Sequence, residues 1–204
     1  MATRQQFIID PHKQSPATDR FLNHIEQHAY ALRQDAGISR DEHVDPYRIA
    51  EVYGVTILLP SDIPQLSEAD RQYIENQDPS VWSGLGGPDP EGGMIIILNP
   101  KQTKERAAVT IMEEVAHIYY GHEPSLVMKE GSDLDRRLYL RGIEQEAYWT
   151  AAAVLLPRHM LARAIWKQRS IETIAAAYGV STELVVFRAK VLGLWNDLKR
   201  VPQL

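Results

Sequence analysis

The residues best suited to chemistry lie in the segment 111–122, which reads Ile-Met-Glu-Glu-Val-Ala-His-Ile-Tyr-Tyr-Gly-His. On an α-helix Glu113 and His117 lie one turn apart on the same face, and Glu114 lies beside them. Gly121 is typical of a residue that ends a helix. Two side chains at this spacing can hold a metal ion, and the carboxylate after the first can polarise a water molecule. The segment therefore predicts a helix equipped for metal-assisted hydrolysis.

The usual zinc-binding form of this motif is His-Glu-x-x-His, which is the motif of the zincin proteases. In this chain the first histidine position is occupied by Glu113. Pairs of glutamates are also common on exposed helices, so Glu113-Glu114-x-x-His117 taken alone fits an ordinary acidic helix as well. Both interpretations stay open on this segment alone.

A second segment, 143–157, supplies further acidic side chains at the start of an alanine-rich apolar stretch. Glu144 and Glu146 lie in the first turns of the predicted helix, which is suited to close packing against another helix. A carboxylate buried in such packing needs a compensating partner, and a metal ion is one such partner. A glutamate on a second, downstream helix is the third ligand in one class of zincins.

Other metal-site patterns fit less well. A metzincin places a glycine three residues and a third histidine six residues after the second histidine, whereas Gly121 and His122 follow His117 by four and five. A di-iron carboxylate site needs two Glu-x-x-His motifs, and the sequence contains one. His24 and His28 are also four residues apart, but no acid follows the first, so we expect both to face solvent. For His122 a role at the site and a role in fastening the turn both stay open.

Composition narrows the chemistry further. The 204 residues include no cysteine, which excludes disulfides, thiol nucleophiles and cysteine-based zinc sites, so any metal must bind histidine and carboxylate. The 22 basic and 27 acidic side chains give a net charge of −5. The sequence has no apolar run near the roughly 20 residues of a spanning helix, and its polar start lacks a signal-peptide layout. We therefore expect a cytoplasmic protein.

Periodicity and turn residues predict an α+β fold with a small early sheet and a helical majority. The turn-rich segment 83–93 predicts a hairpin or loop. The predicted helices are 19–35, a short one opened by Asp45-Pro46 and ended by Gly54, 103–120, 136–156, 158–168, 171–178 and 182–194, and the predicted strands are 55–59, about 81–85 and 94–98.

Charge divides the chain into an acidic part, residues 1–157 with net charge −10, and a basic part, residues 158–204 with net charge +5. We predict a core domain over 1–157 and a helical extension packed on it over 158–204. Residues 171–191 have the spacing of a helix-turn-helix, but the would-be reading helix offers few base-contacting donors and carries Glu183, which disfavours DNA binding. Six basic side chains are instead predicted to form a positive face for a protein partner: Arg158, Arg163, Lys167, Arg169, Arg188 and Lys190.

Taken together, these segments resemble the ImmA/IrrE family of bacterial and phage metallo-endopeptidases. The family pattern is an apolar strand ending in Asn, a helix with His-Glu-x-x-His followed by Gly-His, and Glu-x-x-Ala before an alanine-rich segment that ends in Leu-Leu-x-Pro. The chain matches at Met94 to Asn99, at Glu114, His117, Gly121 and His122, at Glu144 and Ala147, and from Ala151 to Pro157. Tyr148 and Thr150 depart from the family's usual Asn and Phe.

The resemblance implies a zincin-like fold in which Glu114 activates water and His117 and Glu144 bind metal, with Glu113 in the position of the first metal-binding histidine. Two carboxylates and one imidazole form a hard ligand set that suits Zn and also Mn or Fe. The implied substrate is a regulatory protein such as a helix-turn-helix repressor. The alternative is a catalytically degenerate member that binds a regulator or DNA without cleaving, and Glu113 is the residue that favours it.

Overall fold

The computed structural model describes residues 16–89, 92–122 and 134–202, with the side chains from residue 18 onward and without those of 134–140. The fold is α+β, as predicted. The described helices are α1 (Pro16–Asp35), α2 (Pro46–Val52), α3 (Glu68–Glu75), α4 (Lys104–Tyr120), α5 (Leu134–Leu155), α6 (Arg158–Trp166), α7 (Ile171–Tyr178), α8 (Thr182–Val191) and α9 (Trp195–Arg200), the strands are β1 (Val55–Leu58), β2 (Gly84–Pro88) and β3 (Met94–Leu98), and Pro60–Asp62 is a 3-10 turn.

The sheet has the order β1-β3-β2, so the apolar strand β3 is central. β1 pairs with it in parallel and β2 antiparallel. The side chains of Ile96 and Leu98 are buried beneath α4 and the rest of the core. The predicted hairpin is therefore present, although its first strand begins at Gly84, three residues later than expected. Gly84 and Gly86 allow that strand to cross close above α4.

The helix that carries the motif begins and ends where its capping residues require. The side chain of Thr103 accepts a hydrogen bond from the Arg106 amide at the N-terminus. At the C-terminus Gly121 adopts a left-handed conformation with φ of 64°. The His122 amide then donates to the carbonyl of His117 at 2.9 Å, which returns the chain over the last turn of α4. This turn brings His122 beside the motif.

The helix α5 packs against both α4 and α1, and it forms the centre of the helical layer. Its residues Ala151, Ala152 and Ala153 are fully buried, and their small side chains allow the neighbouring backbones to approach closely. The predicted apolar face of α1 is also buried in this layer. Because α1, α4 and α5 meet here, polar side chains on their facing surfaces come together at one end of the layer.

The C-terminal helices share the core of the preceding residues. One continuous hydrophobic cluster runs from Leu22 to Val201 and includes side chains of α6, α7 and α8. The proposed boundary between 1–157 and 158–204 stays a prediction. The predicted positive face is wrong for one of its members, because Arg188 is fully buried and paired with Glu26 of α1. Arg163, another member, is paired with Asp41.

Two helices were not predicted. The helix α3 is capped by Ser67 and lies in the mostly polar segment 61–79, and none of its residues is buried. The helix α9 follows Gly193, whose φ of 72° ends the preceding helical segment. The helix that was predicted over 182–194 therefore ends earlier, at Val191. Among the described residues, no helix is both long and apolar enough to cross a membrane.

The buried pair of Arg188 and Glu26 generates a stability prediction. Arg188 also donates from Nε to the carbonyl of Leu156 at 3.0 Å, so its guanidinium links α8 both to α1 and to the residue that follows α5. In Glu26→Ala the arginine would stay buried without its counter-ion, and we expect a loss of about 3 kcal/mol in the free energy of unfolding. Chemical denaturation measures this loss.

The matched control removes an exposed ion pair, that of Asp197 with Arg200 at 3.5 Å. Because solvent screens this pair, Asp197→Ala is expected to change stability far less. Equal losses in the two variants would contradict a structural role for the buried pair.

Candidate metal centre

His117 and Glu144 face each other across the junction of α4 and α5. The Nε2 atom of His117 lies 3.7 Å from Oε2 of Glu144, and the histidine is the less exposed of the two. Burial by itself lowers the pKa of His117, but the facing carboxylate of Glu144 and the charges of Glu114 and Glu113 outweigh it, so the pKa is raised. These carboxylates therefore favour a positive charge at the imidazole.

Glu113 and Glu114 are partly buried carboxyl groups. Burial raises the pKa of Glu113 to about 7; the nearby His117 opposes this effect, and the charges of Glu144 and Glu114 add to it. Burial likewise raises the pKa of Glu114. Within the described part of the chain neither carboxylate has a hydrogen-bond partner. Both glutamates, like Glu144, interact electrostatically with the imidazole of His117.

The two adjacent glutamates face different surroundings. The carboxylate of Glu114 lies directly against the backbone of β2, where a side chain in place of Gly86 would clash with it. Since β2 is the outer strand of the sheet, Glu114 lies beside a strand edge that the described residues leave unpaired. The predicted water-activating residue and an edge strand are therefore neighbours.

Glu113 lines a cleft of about 420 Å³ between α4, α5 and the start of α8. Tyr148 lines the same cleft and packs its ring edge-to-face on Phe187, with centroids 5.1 Å apart. Burial raises the pKa of Tyr148, and the charge of Glu113 adds to the effect. Two departures from the family pattern, at positions 113 and 148, thus occur in one cleft.

A second cluster of polar side chains adjoins His117. The Nδ1 atom of His122 lies 3.0 Å from Nδ1 of His117, and its Nε2 lies 3.2 Å from Oε2 of Glu146. The other oxygen of Glu146, Oε1, is 2.9 Å from Nε2 of His24 on α1. Burial raises the pKa of Glu146, but the hydrogen bonds from His122 and His24 outweigh burial and lower it overall. Glu146 is therefore an ionised carboxylate between two histidines.

The prediction that His24 and His28 face solvent holds only in part: both are partly exposed, with the His24 side chain 41% exposed, but each also has a side-chain partner in the helical layer. His28 forms a hydrogen bond of 2.7 Å from Nδ1 to the hydroxyl of Tyr119, and His24 contacts Glu146. In the sequence, the i, i+4 spacing of the two histidines indicated that they share one face of α1. The spacing could not identify their partners, because these lie 91 and 122 positions away.

The side chains at this junction are of the chemical types that bind divalent metal ions. One imidazole and two carboxylates are ligands that such ions accept, and the excess negative charge needs a cation. His117 and Glu144 form a facing pair, while residues 16–89, 92–122 and 134–202 contain no group of three such side chains already gathered around one point. Glu113 is the candidate for the third ligand, because it lies on the same end of α4 and interacts electrostatically with both.

The structure brings the four predicted site residues, Glu113, Glu114, His117 and Glu144, to one junction. Their roles as metal ligands and as water-activating base stay predictions. Sequence reasoning left open a choice between Glu144 and Glu146, and the structure places these in different surroundings. Glu144 faces His117 from a half-exposed position, whereas Glu146 is mostly buried among other histidines.

Comparison with known proteins adds independent information. The IrrE N-terminal-like domain family of M78 peptidases matches residues 73–190. A solved structure, a Mycobacterium tuberculosis transcriptional regulator, is similar with a TM-score of 0.51 and 16% identity, over 84% of this chain and 48% of that one. The chain thus spans about half the length of that regulator, and at this identity the likeness shows the fold alone. No curated protein matches the sequence.

The family match covers more than half of the chain and includes the whole of α4 and α5, which carry all four candidate site residues. The chain therefore belongs to the IrrE N-terminal-like family of M78 peptidases, and its domain is metallopeptidase-like.

Proposed function

We propose that the protein is a metal-dependent endopeptidase that cleaves a regulatory protein. In this proposal Glu113, His117 and Glu144 bind the metal ion, and Glu114 acts as the general base. The family match supports a metallopeptidase-like domain, and the geometry of the α4–α5 junction supports the choice of residues.

One observation carries the proposal. Glu113 and Glu114 are adjacent, partly buried and without a hydrogen-bond partner among the described residues, beside the facing pair of His117 and Glu144. Leaving carboxylates partly desolvated and unpaired costs free energy, which a fold tolerates where a cation compensates for it. A divalent cation at the junction would neutralise this charge, and a site of this kind is used for hydrolysis.

The ligand set determines the metal chemistry. Two carboxylates and one imidazole suit Zn, and they also suit Mn or Fe. When bound, the metal ion would supply a Lewis acid for the attacking water and the scissile carbonyl. The additional carboxylate, in comparison with a two-histidine site, adds negative charge and so reduces that acidity.

Side chains and backbone of the protein would perform the remaining steps, which are proton transfer and alignment of the substrate. Glu114 accepts a proton from the attacking water and returns it to the leaving amine. Burial raises the pKa of Glu114, which makes its carboxylate a stronger base than that of an exposed glutamate. The free edge of β2 beside Glu114 can align an extended substrate segment by strand addition.

The proposed substrate is a helix-turn-helix transcriptional repressor. The support is the family resemblance and, more loosely, the fold shared with a solved transcriptional regulator. We propose that the protein works in the cytoplasm, where such repressors bind DNA.

A second candidate function is binding of a regulator without cleavage. The observation that favours it is Glu113 in the position of a metal-binding histidine, together with the absence of a preformed three-donor group among the described residues. The following experiments separate the two functions.

Metal analysis is the first test. Protein purified without a histidine tag and incubated with excess zinc or manganese is expected to retain about one equivalent of metal after desalting, measured by mass spectrometry of the metal. His117→Ala is expected to lose it, because the only imidazole of the proposed set is removed. Glu172→Gln, a change on the exposed face of α7, serves as a control that keeps it. Retention below about a tenth of an equivalent would contradict the metallopeptidase.

Cleavage is the second test. The metal-loaded protein is incubated with a library of peptides from a digested proteome, and new termini are identified by mass spectrometry. Glu114→Gln is expected to reduce cleavage about 100-fold or more while it retains the metal, because the amide cannot accept the proton. Wild-type protein with bound metal but no more cleavage than Glu114→Gln would favour the non-catalytic binder.

Restoration of the usual motif is the third test. Glu113→His is expected to raise zinc affinity, since it creates His-Glu-x-x-His on α4 and replaces a carboxylate by an imidazole. Isothermal titration with zinc measures the change. An unchanged or lower zinc affinity would show that position 113 does not face the metal.

A further inference from the structure

The histidine that follows α4 is joined to the candidate ligand His117 by a chain of polar contacts. His117 Nδ1 contacts His122 Nδ1 at 3.0 Å, His122 Nε2 contacts Glu146 Oε2 at 3.2 Å, and Glu146 Oε1 contacts His24 Nε2 at 2.9 Å. Three separate elements, α1, α5 and the turn after α4, therefore contribute to one line of contacts that ends at His117.

The inner part of this chain of contacts is shielded from solvent and held by its neighbours, while the side chain of His24 at its far end is 41% exposed. The side chain of His122 is 4% exposed and that of Glu146 16% exposed. The ring of Tyr120 stacks on the ring of His122 with centroids 5.3 Å apart and on that of His24 at 6.0 Å. The hydroxyl of Tyr120 is held in turn by Thr150, which is fully buried, at 2.9 Å. The ring planes in the chain are thus fixed by packing.

The contacts restrict where hydrogens lie. A carboxylate accepts hydrogen bonds, so Glu146 requires a hydrogen on Nε2 of His122 and on Nε2 of His24. When His122 is neutral, its Nδ1 then carries no hydrogen and can only accept. The contact between the two Nδ1 atoms consequently requires that His117 donate from Nδ1. A histidine with its hydrogen on Nδ1 presents the lone pair of Nε2.

We propose that His122 and Glu146 are positioning residues that hold His117 with its hydrogen on Nδ1, so that Nε2 is available to a metal ion. The inference rests on the proposed function, because it treats His117 as a ligand. The free atom is the one that faces Glu144 at 3.7 Å. The opposite arrangement, with both nitrogens of His122 protonated, would make His117 an acceptor at Nδ1 and place a hydrogen on Nε2, where it blocks coordination.

The role of His24 follows from the same geometry. Glu146 has two oxygens, and each is used by a different histidine. The contact from α1 fixes the second oxygen and so orients the carboxylate toward His122. Outer partners that orient a ligating histidine are a general feature of metal sites, and their removal lowers metal affinity about 10- to 100-fold.

The test measures the tautomer directly, in protein that contains no metal. Protein labelled with ¹⁵N-histidine is studied by long-range ¹H–¹⁵N correlation at a pH at which His117 is neutral, with His117→Ala used to assign its signals. The wild-type protein is expected to show His117 with hydrogen on Nδ1 and His122 with hydrogen on Nε2. In His122→Leu, which lacks the acceptor, His117 is expected to shift toward hydrogen on Nε2, and zinc affinity is expected to fall about 10- to 100-fold.

Two further variants separate positioning from packing. The side-chain oxygen of Asn can take the place of Nδ1 as an acceptor, so His122→Asn is expected to restore the Nδ1–H form of His117 and much of the lost zinc affinity. Glu146→Gln removes the charge that anchors His122 and is expected to shift the tautomer. Glu172→Gln makes the same chemical change on the exposed surface of α7 and is expected to leave it unchanged.

The outcomes distinguish this inference from the proposed function. A neutral wild-type His117 with hydrogen on Nε2 would overturn the inference, as would a tautomer that His122→Leu leaves unchanged. Failure of the protein to bind zinc would contradict the proposed function but would not alter the tautomer measured without metal. Circular dichroism on each variant establishes that the fold is retained.

Discussion

The packing of α4 against α5 is the constraint on which the candidate site depends. Buried alanines on α5 let the two helices approach, and the approach brings glutamates from both helices to one end of the layer. Glu113 and Glu114 are partly buried there, and together with Glu144 they interact electrostatically with His117. Close packing and the gathering of acidic side chains are consequences of the same interface, and the proposed cation would compensate for their charge.

The surroundings of the α4–α5 interface explain how neighbouring glutamates can have different roles. Glu114 lies against the glycine-containing edge strand β2, where a substrate backbone would be aligned. Glu144 faces the imidazole nitrogen that would bind metal. Glu146, two residues further along α5, is turned to the other side and anchors two histidines. The division of roles therefore follows from which neighbour each carboxylate meets and not from residue type.

Much of this arrangement could be predicted from the sequence, because the signals were local. Periodicity located α4 and α5, glycine and threonine set the ends of α4, and the apolar run of β3 marked the central strand. The contacts of His24 and the burial of Arg188 could not be predicted, since both depend on partners more than a hundred positions away. The helix α3 was missed because it is short, lies in a mostly polar segment and buries no residue.

The central claim is that the carboxylates of the α4–α5 junction serve a metal ion. Anomalous X-ray diffraction at the zinc edge, on crystals of the zinc-loaded protein, tests it most directly. The account predicts one strong peak within bonding distance of Nε2 of His117 and of the carboxylates of Glu113 and Glu144. No zinc peak at this junction, or a zinc ion bound only elsewhere on the surface, would contradict it.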